Sequence, residues 1–154
     1  MNRFYTRALC VAILSFGLVA AASAQRNVTP AIDRDALLEA DAKHNLDVAK
    51  QYFSPLKKAY KSVLDRFEET HDTHPEFSQM DEFLYIAGMS SWYLSEGKGK
   101  QKIDPKTEKK PEKFTPEILR TNAVAYLTEL VEKHPQSRFV PDAQKALTEI
   151  EAAK

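Results

Sequence analysis

Two histidines, three positions apart, are the residues whose types and spacing come nearest to a chemical site. His71 and His74 lie beside the acidic residues Glu68, Glu69 and Asp72. Histidines at this spacing on one helix face can share a metal ion. His74 precedes a proline, however, which favours a place beyond the end of the helix, where a histidine interacts well with the helix dipole. The pattern favours a C-terminal cap and leaves a metal site as the alternative.

Signals for covalent catalysis or for a bound cofactor are absent from the sequence. The serines have neither a nucleophile elbow nor an S-x-x-K context. The basic stretch around Gly97 and Gly99 lacks the G-x-x-x-x-G-K-[ST] spacing of a phosphate-binding loop. No C-x-x-C-H motif for haem attachment occurs. We therefore predict a protein that is not an enzyme and has no cofactor, and an envelope hydrolase is the weakest of the hypotheses.

Residues 1–24 have the three-part layout of a secretory signal peptide. Arg3 and Arg7 form a positive n-region, an apolar run follows, and a small-residue A-x-A site ends at Ala24. The apolar run is shorter than the about 20 residues that a transmembrane helix needs. We therefore expect export to the periplasm, cleavage after Ala24 and no membrane span in the mature chain.

The mature chain is predicted to contain no cysteine and to carry a nearly balanced charge. Cys10, the one cysteine, lies inside the leader, and most of the apolar run follows it, unlike the lipid-attachment cysteine of a lipoprotein. Loss of the leader's two arginines leaves 20 basic residues against 22 acidic ones. This balance argues against nucleic acid as a partner.

Apolar residues recur at helical spacing through most of the remaining chain, which predicts an all-α fold. Residues 25–32 are expected to form a flexible tail, and residues 33–152 a helical domain. Capping residues followed by proline predict two helix starts, at Ser54-Pro55 and at Thr115-Pro116. The five predicted helices cover about 33–53, 54–73, 78–96, 115–134 and 139–151. Leu56 is expected in the core stripe of the second helix, and Ser78 and Asp81 are expected to form a capping box at the start of the third.

The third and fourth helices are separated by a lysine-rich segment, residues 97–114, that holds seven lysines and few apolar residues. Such a composition cannot recover its ordering entropy by burial, which predicts a mobile surface loop. Its charge is typical of a solvated face, and docking of an anionic partner is the alternative. The third helix is apolar nearly all round, so we expect it at the centre of the domain.

The second and fourth helices share a spacing that indicates a degenerate repeat. Tyr60, Leu64 and Phe67 have the same +4, +3 spacing as Ala123, Leu127 and Leu130, and a His-Pro pair follows each set. This spacing matches the second helix of a tetratricopeptide (TPR) motif, A-x-x-x-F-x-x-A-x-x-x-x-P. Ala87-Gly88 lies where the first helix of that motif has its Leu-Gly pair. The first helix of the chain is then predicted to act as a cap.

Three phrases resemble the TPR-like repeats of the BamD family of outer membrane protein assembly factors. They are Tyr60-Lys-Ser-Val-Leu-Asp-Arg-Phe67, Phe83-Leu-Tyr-Ile-Ala-Gly88 and Tyr126-Leu-Thr-Glu-Leu-Val-Glu-Lys-His-Pro-Gln-Ser137. The resemblance covers about residues 50–152. It implies stacked helix–turn–helix repeats and a periplasmic scaffold that binds envelope proteins or peptides. The predicted mature chain departs from the family by its missing lipid-attachment cysteine and its short length.

Aromatic side chains on the third helix, and charged ones off the core stripes of the second and fourth, are the candidate contacts for such a partner. Aromatic residues at helical spacing are usually core, but tyrosine and tryptophan carry polar tips that favour a surface position. The candidate residues are Lys57, Lys61, Tyr85, Trp92, Tyr93 and Glu129. The alternative function is a periplasmic metal-binding or small-ligand protein that uses His71 and His74.

The leader generates the first testable prediction. The protein exported to the periplasm should begin at Gln25, because Ala24 and Ala22 satisfy the small-residue requirement of the cleavage site. Intact-mass measurement on the periplasmic fraction tests this. A mass that includes residues 1–24, or a lipid on Cys10, would contradict it.

Overall fold

The computed structural model describes residues 34–104, 106 and 108–153, which fold entirely as helices and connecting turns without any strand. The leader, the tail and the cleavage site lie outside the described residues. The predicted all-α, TPR-like class is confirmed. The helices are α1 (Arg34–Phe53), α2 (Tyr60–Thr73), α3 (Met80–Ser95), a 3-10 helix (Pro111–Phe114), α4 (Pro116–Lys133) and α5 (Val140–Ala152).

The helices form two layers, with α1, α3 and α5 in one and α2 and α4 in the other. In the first layer, Phe53 of α1 stacks on Tyr93 of α3, with ring centroids 6.3 Å apart. On its other side, α3 packs against α5. In the second layer, Phe67 of α2 meets Tyr126 of α4 edge-on at 4.7 Å. This alternation of neighbouring helices between two layers is the arrangement of a helical repeat array.

Helix α3 lies at the centre of the domain, as its all-round apolar pattern predicts. It contacts α2, α4 and α5, and Lys50 of α1 reaches its Glu82 at 2.8 Å. Phe83, Leu84 and Ala87 are completely buried. Helix α1 does more than cap the array, because its Leu46 and its buried alanines belong to the same core.

Helices α3 and α4 approach each other closely at Gly88. A Cβ atom on Gly88 would lie 2.7 Å from Cγ and 2.8 Å from Cδ2 of Leu127, and 3.5 Å from the Ala123 carbonyl oxygen. Leu127 is itself completely buried, and protein interiors leave few voids into which such a side chain can turn. The absence of a side chain at position 88 therefore allows the two helices to pack at this distance.

The predicted start of the second helix at Ser54-Pro55 is wrong. These residues form a turn, in which the Ser54 carbonyl accepts backbone hydrogen bonds from Lys57 and Lys58, and α2 begins only at Tyr60. Lys58 has a left-handed backbone, φ 47°, which a helix cannot contain. Leu56 consequently leaves the predicted core stripe and is 79 % exposed.

Ser78 does not cap α3, contrary to the predicted capping box. Its hydroxyl and backbone N–H both donate to the carboxylate of Glu39 on α1, which also binds His74 Nε2 at 3.0 Å. The hydroxyl bond, supported by that of His74, lowers the pKa of Glu39. The tertiary contact of Ser78 with Glu39 thus replaces the predicted local pairing of Ser78 with Asp81. Asp81 instead accepts from the hydroxyl of Ser137 at 2.6 Å, which ties α3 to the turn before α5.

The lysine-rich segment packs against the rest of the domain at both of its ends. The prediction that this segment gains nothing from burial is therefore wrong there. At its start, the Gln101 side chain accepts from the Ser62 backbone N–H at 3.1 Å and donates to the Ser62 hydroxyl at 2.7 Å. At its end, Phe114 packs on the core and Lys113 pairs with Glu68 at 2.7 Å. The 3-10 helix there was not predicted, because its four residues are too few to show periodicity.

The fourth helix begins and ends as predicted. The Thr115 side chain accepts a hydrogen bond from the Ile118 backbone N–H, and Pro116 occupies the first turn. His74 and His134 lie just beyond the ends of α2 and α4, where each donates its backbone N–H to a carbonyl of the last turn. The two His-Pro pairs thus end their helices in the same way, as the repeat predicts.

The contact at Gly88 generates the second prediction. Gly88→Ala should destabilise the protein by about 1–3 kcal/mol through overpacking against Leu127, although alanine in a helix ordinarily gains about 1 kcal/mol over glycine. In a Leu127→Ala background, where the clashing atoms are gone, the same change should cost nothing or stabilise. Urea unfolding of the four proteins measures both effects. Stabilisation by Gly88→Ala alone would show that α3 and α4 are not in close contact.

Candidate partner-binding surface

An open cleft of about 440 Å³ lies between α3 and α5, on the layer that these helices share with α1. Its α3 wall is mainly aromatic and its α5 wall carries charges of both signs. The α3 wall comprises Tyr85, Met89, Trp92 and Tyr93, and the α5 wall comprises Asp142, Lys145, Ala146 and Glu149. The three aromatic candidates from the sequence, Tyr85, Trp92 and Tyr93, therefore lie at one site.

Helical spacing explains how the two walls arise. Tyr85, Met89 and Trp92 follow one another at +4 and +3, so they share a face of α3. Asp142 and Lys145 share a face of α5 in the same way. Ala143 and Ala146 turn toward the core, and their small side chains let α5 lie close to its neighbours.

Tyr85 is held in a fixed orientation beside the cleft. Its ring stacks on Phe139 at 5.0 Å with an interplanar angle of 17°, and the Arg138 guanidinium lies 4.6 Å from the centre of the Phe139 ring. Burial, with a further contribution from the Asp142 carboxylate, raises the pKa of Tyr85. The phenol therefore stays neutral at physiological pH and can donate a hydrogen bond.

Trp92 and Tyr93 form the end of the cleft nearest to the lysine-rich segment. Trp92 is largely buried, and its ring stacks on Tyr93 at 5.9 Å. The Lys98 ammonium group lies 6.0 Å from the Trp92 ring and 5.6 Å from the Tyr93 ring, and pairs with Glu96 at 2.6 Å. Lys98 thus makes cation–π contacts at this end of the cleft, while Glu96 offsets its charge.

Charged residues also bridge the three helices of this layer. Glu82 on α3 lies 2.8 Å from the Lys50 ammonium group of α1 and 3.7 Å from the Arg138 guanidinium before α5. Glu82 is mostly shielded from solvent, whereas Lys50 and Arg138 are exposed, so the two ion pairs link these elements with little free energy.

The other three candidates lie elsewhere. Lys57 is on the α1–α2 turn, with its ammonium group 5.1 Å from the Tyr52 ring. Lys61 pairs with Asp65 on its own helix at 3.1 Å. Glu129 on α4 pairs with Lys133 at 2.8 Å. The structure thus separates the charged candidates from the aromatic ones, because α2 and α4 belong to the opposite layer.

The histidines point to different partners. His71 Nε2 lies 3.8 Å from Glu129 of α4, whereas His74 Nε2 binds Glu39 of α1 at 3.0 Å. Across residues 34–104, 106 and 108–153, no group of three or more histidine, cysteine, aspartate or glutamate side chains is arranged to hold a metal ion. The three-residue spacing alone therefore does not bring His71 and His74 to one site.

The α5 wall was missing from the sequence-based candidates. Asp142, Lys145 and Glu149 follow one another at +3 and +4, which marks one polar face of a helix. That signal could have identified them as a group, but nothing in the sequence said that this face would lie opposite the aromatic residues of α3. Their pairing depends on the packing of α5 beside α3.

Comparison with protein-family models gives a match to the family described as YfiO, outer membrane lipoprotein, over residues 39–153. Comparison with curated proteins returned no match, and comparison with solved structures returned none either. No helix within the described ranges is long and apolar enough to cross a membrane. The family match covers about three quarters of the chain and includes the helices from the fifth residue after the start of α1 onward. The chain therefore belongs to the YfiO family of outer membrane lipoproteins, a BamD-like group of TPR-type proteins.

Proposed function

We propose that this protein is a non-enzymatic scaffold of the cell envelope that binds protein or peptide segments in the α3–α5 cleft during outer membrane protein assembly. Its family supports the place in the envelope and the link to outer membrane assembly. The single observation that carries the binding proposal is the convergence of Tyr85, Trp92 and Tyr93 on one open cleft.

The composition of the cleft suits a protein partner. Tyrosine and tryptophan are enriched among the residues that dominate the binding energy of interfaces, because they offer a large rigid surface with a polar tip. Tyr85 is already fixed by its stack on Phe139, so little side-chain entropy remains to be lost on binding. The cleft is thus a preorganised site.

The charges around the cleft favour a partner segment with both polar and apolar side chains. Asp142 and Glu149 offer acceptors for backbone or side-chain N–H groups, while Lys145 and Lys98 offer donors. Such a mixed polar rim around an aromatic centre is the usual anatomy of a protein interface. This rim does not favour a partner of either sign of charge.

The third prediction compares this cleft with the opposite layer. Tyr85→Ala should weaken capture of envelope proteins about tenfold, the loss that follows when an interface anchor is removed. Lys145→Glu should weaken it less, since a rim charge acts mainly on association. Photo-crosslinking in envelope fractions, followed by quantitation of the crosslinked partner, measures both effects, and the purified protein should turn over no substrate.

Matched controls come from the charged candidates on the other layer. Lys61→Glu and Glu129→Lys change half-buried charges on α2 and α4 and should leave capture unchanged, with circular dichroism unchanged in all variants. If these two variants lose the partner while Tyr85→Ala keeps it, the binding surface is on α2 and α4 and the cleft proposal is wrong.

A further inference from the structure

The turn between α1 and α2 exposes a leucine to solvent on a backbone that several hydrogen bonds hold in place. Leu56 is 79 % exposed, against 53 % for Leu37 and 44 % for Ile118, the other large apolar side chains exposed in the described ranges. A single exposed leucine needs no explanation by itself. The surroundings of Leu56, however, combine a rigid backbone with a concentration of positive charge.

The turn is held by hydrogen bonds at each step. The Ser54 carbonyl accepts from Lys57 N–H at 3.1 Å and from Lys58 N–H at 2.9 Å. The Lys100 ammonium group donates to the Leu56 carbonyl at 2.7 Å, and the Lys100 N–H donates to the Lys58 carbonyl at 3.0 Å. The lysine-rich segment thus fixes the turn. Lys58 keeps the left-handed conformation, which is costly for a residue other than glycine, and the chain resumes as α2 only beyond it.

Four lysines lie on this turn or on the segment that is hydrogen-bonded to it, and we call them with the leucine the basic corner: Leu56, Lys57, Lys58, Lys98 and Lys100. Lys58, Lys98 and Lys100 line one cavity of about 730 Å³ whose other described lining residues include no acidic side chain. Glu96 pairs with Lys98 at 2.6 Å and offsets its charge, so the excess positive charge of the corner comes from Lys57, Lys58 and Lys100. Because the whole chain has a formal net charge of zero, this positive charge is a local segregation.

Aromatic rings form the floor behind the basic corner. Phe53, Tyr60 and Tyr93 lie with ring centroids 5.2 to 6.3 Å apart, and all three line the same cavity. Tyrosines with an apolar body and a polar tip are favoured at membrane–water interfaces. Of these tyrosines Tyr60 is buried and Tyr93 half-buried, so the exposed part of the corner consists of Leu56 and the lysines.

We propose that the basic corner docks on the surface of an anionic lipid bilayer. Leu56 inserts among the upper acyl chains, and the lysines lie at the level of the lipid phosphates. A free phosphate or another soluble anion would engage the lysines but would gain nothing from the exposed leucine. The two signals together give reversible membrane binding. Lys98 and Tyr93 line both the corner's cavity and the cleft, but Leu56, Lys57 and Lys58, which the variants below change, lie outside the cleft.

Flotation of the purified exported protein with lipid vesicles tests this inference. The protein should float with vesicles that contain phosphatidylglycerol and stay behind with pure phosphatidylcholine, and high salt should release it. Leu56→Ser should weaken binding roughly tenfold, the worth of one buried leucine. The double variant Lys57→Glu/Lys58→Glu should weaken it by more than about tenfold, because each lysine near the surface contributes separately.

The matched control is Lys43→Glu/Lys133→Glu, which changes the net charge equally at exposed positions outside both the corner and the cleft and should bind vesicles like the unaltered protein. In a Leu56→Trp variant, the added tryptophan fluorescence should shift to the blue on vesicle binding and not on addition of inorganic phosphate. Equal binding by the control and the corner variants, equal flotation with neutral vesicles, or no blue shift would each overturn the proposal.

Discussion

The close contact of α3 and α4 at Gly88 is the constraint on which the rest of this structure depends. Leu127 fills the space that a side chain at position 88 would need. This sets how near the two layers lie, and α3 is the helix that every other α-helix of the described chain contacts. With α3 fixed, Phe53 and Phe139 meet its Tyr93 and Tyr85. The cleft is therefore a consequence of packing on the far side of α3.

The same central position explains why one helix can serve both the core and a surface. Phe83, Leu84 and Ala87 are buried in the core, where burial of apolar surface stabilises the fold. Tyr85 and Tyr93 lie on the other side of the helix and remain partly exposed. A helix apolar all round is normally buried all round. Here the aromatic residues with polar tips mark the side that is left open.

The sequence predicted the helices that have clear local signals and failed where tertiary contacts compete with them. Thr115-Pro116 starts α4 because nothing opposes the local cap. Ser54-Pro55 has the same local signal, yet it forms a turn, because Lys58 is left-handed and is held by Lys100 from a distant segment. Likewise Ser78 binds Glu39 across the fold. In the cleft, the aromatic wall was predictable from residue type, whereas the charged wall required knowledge of where α5 packs.

Amide hydrogen exchange of the protein, alone and with its crosslink-identified partner, tests the central claim most directly, since it locates the bound surface without any substitution. We predict that partner binding slows exchange in α3 over residues 85–93 and in α5 over residues 142–149. Exchange in α2 and α4 should be unchanged. Slower exchange confined to α2 and α4, with α3 and α5 unaffected, would contradict the assignment of the cleft as the binding site.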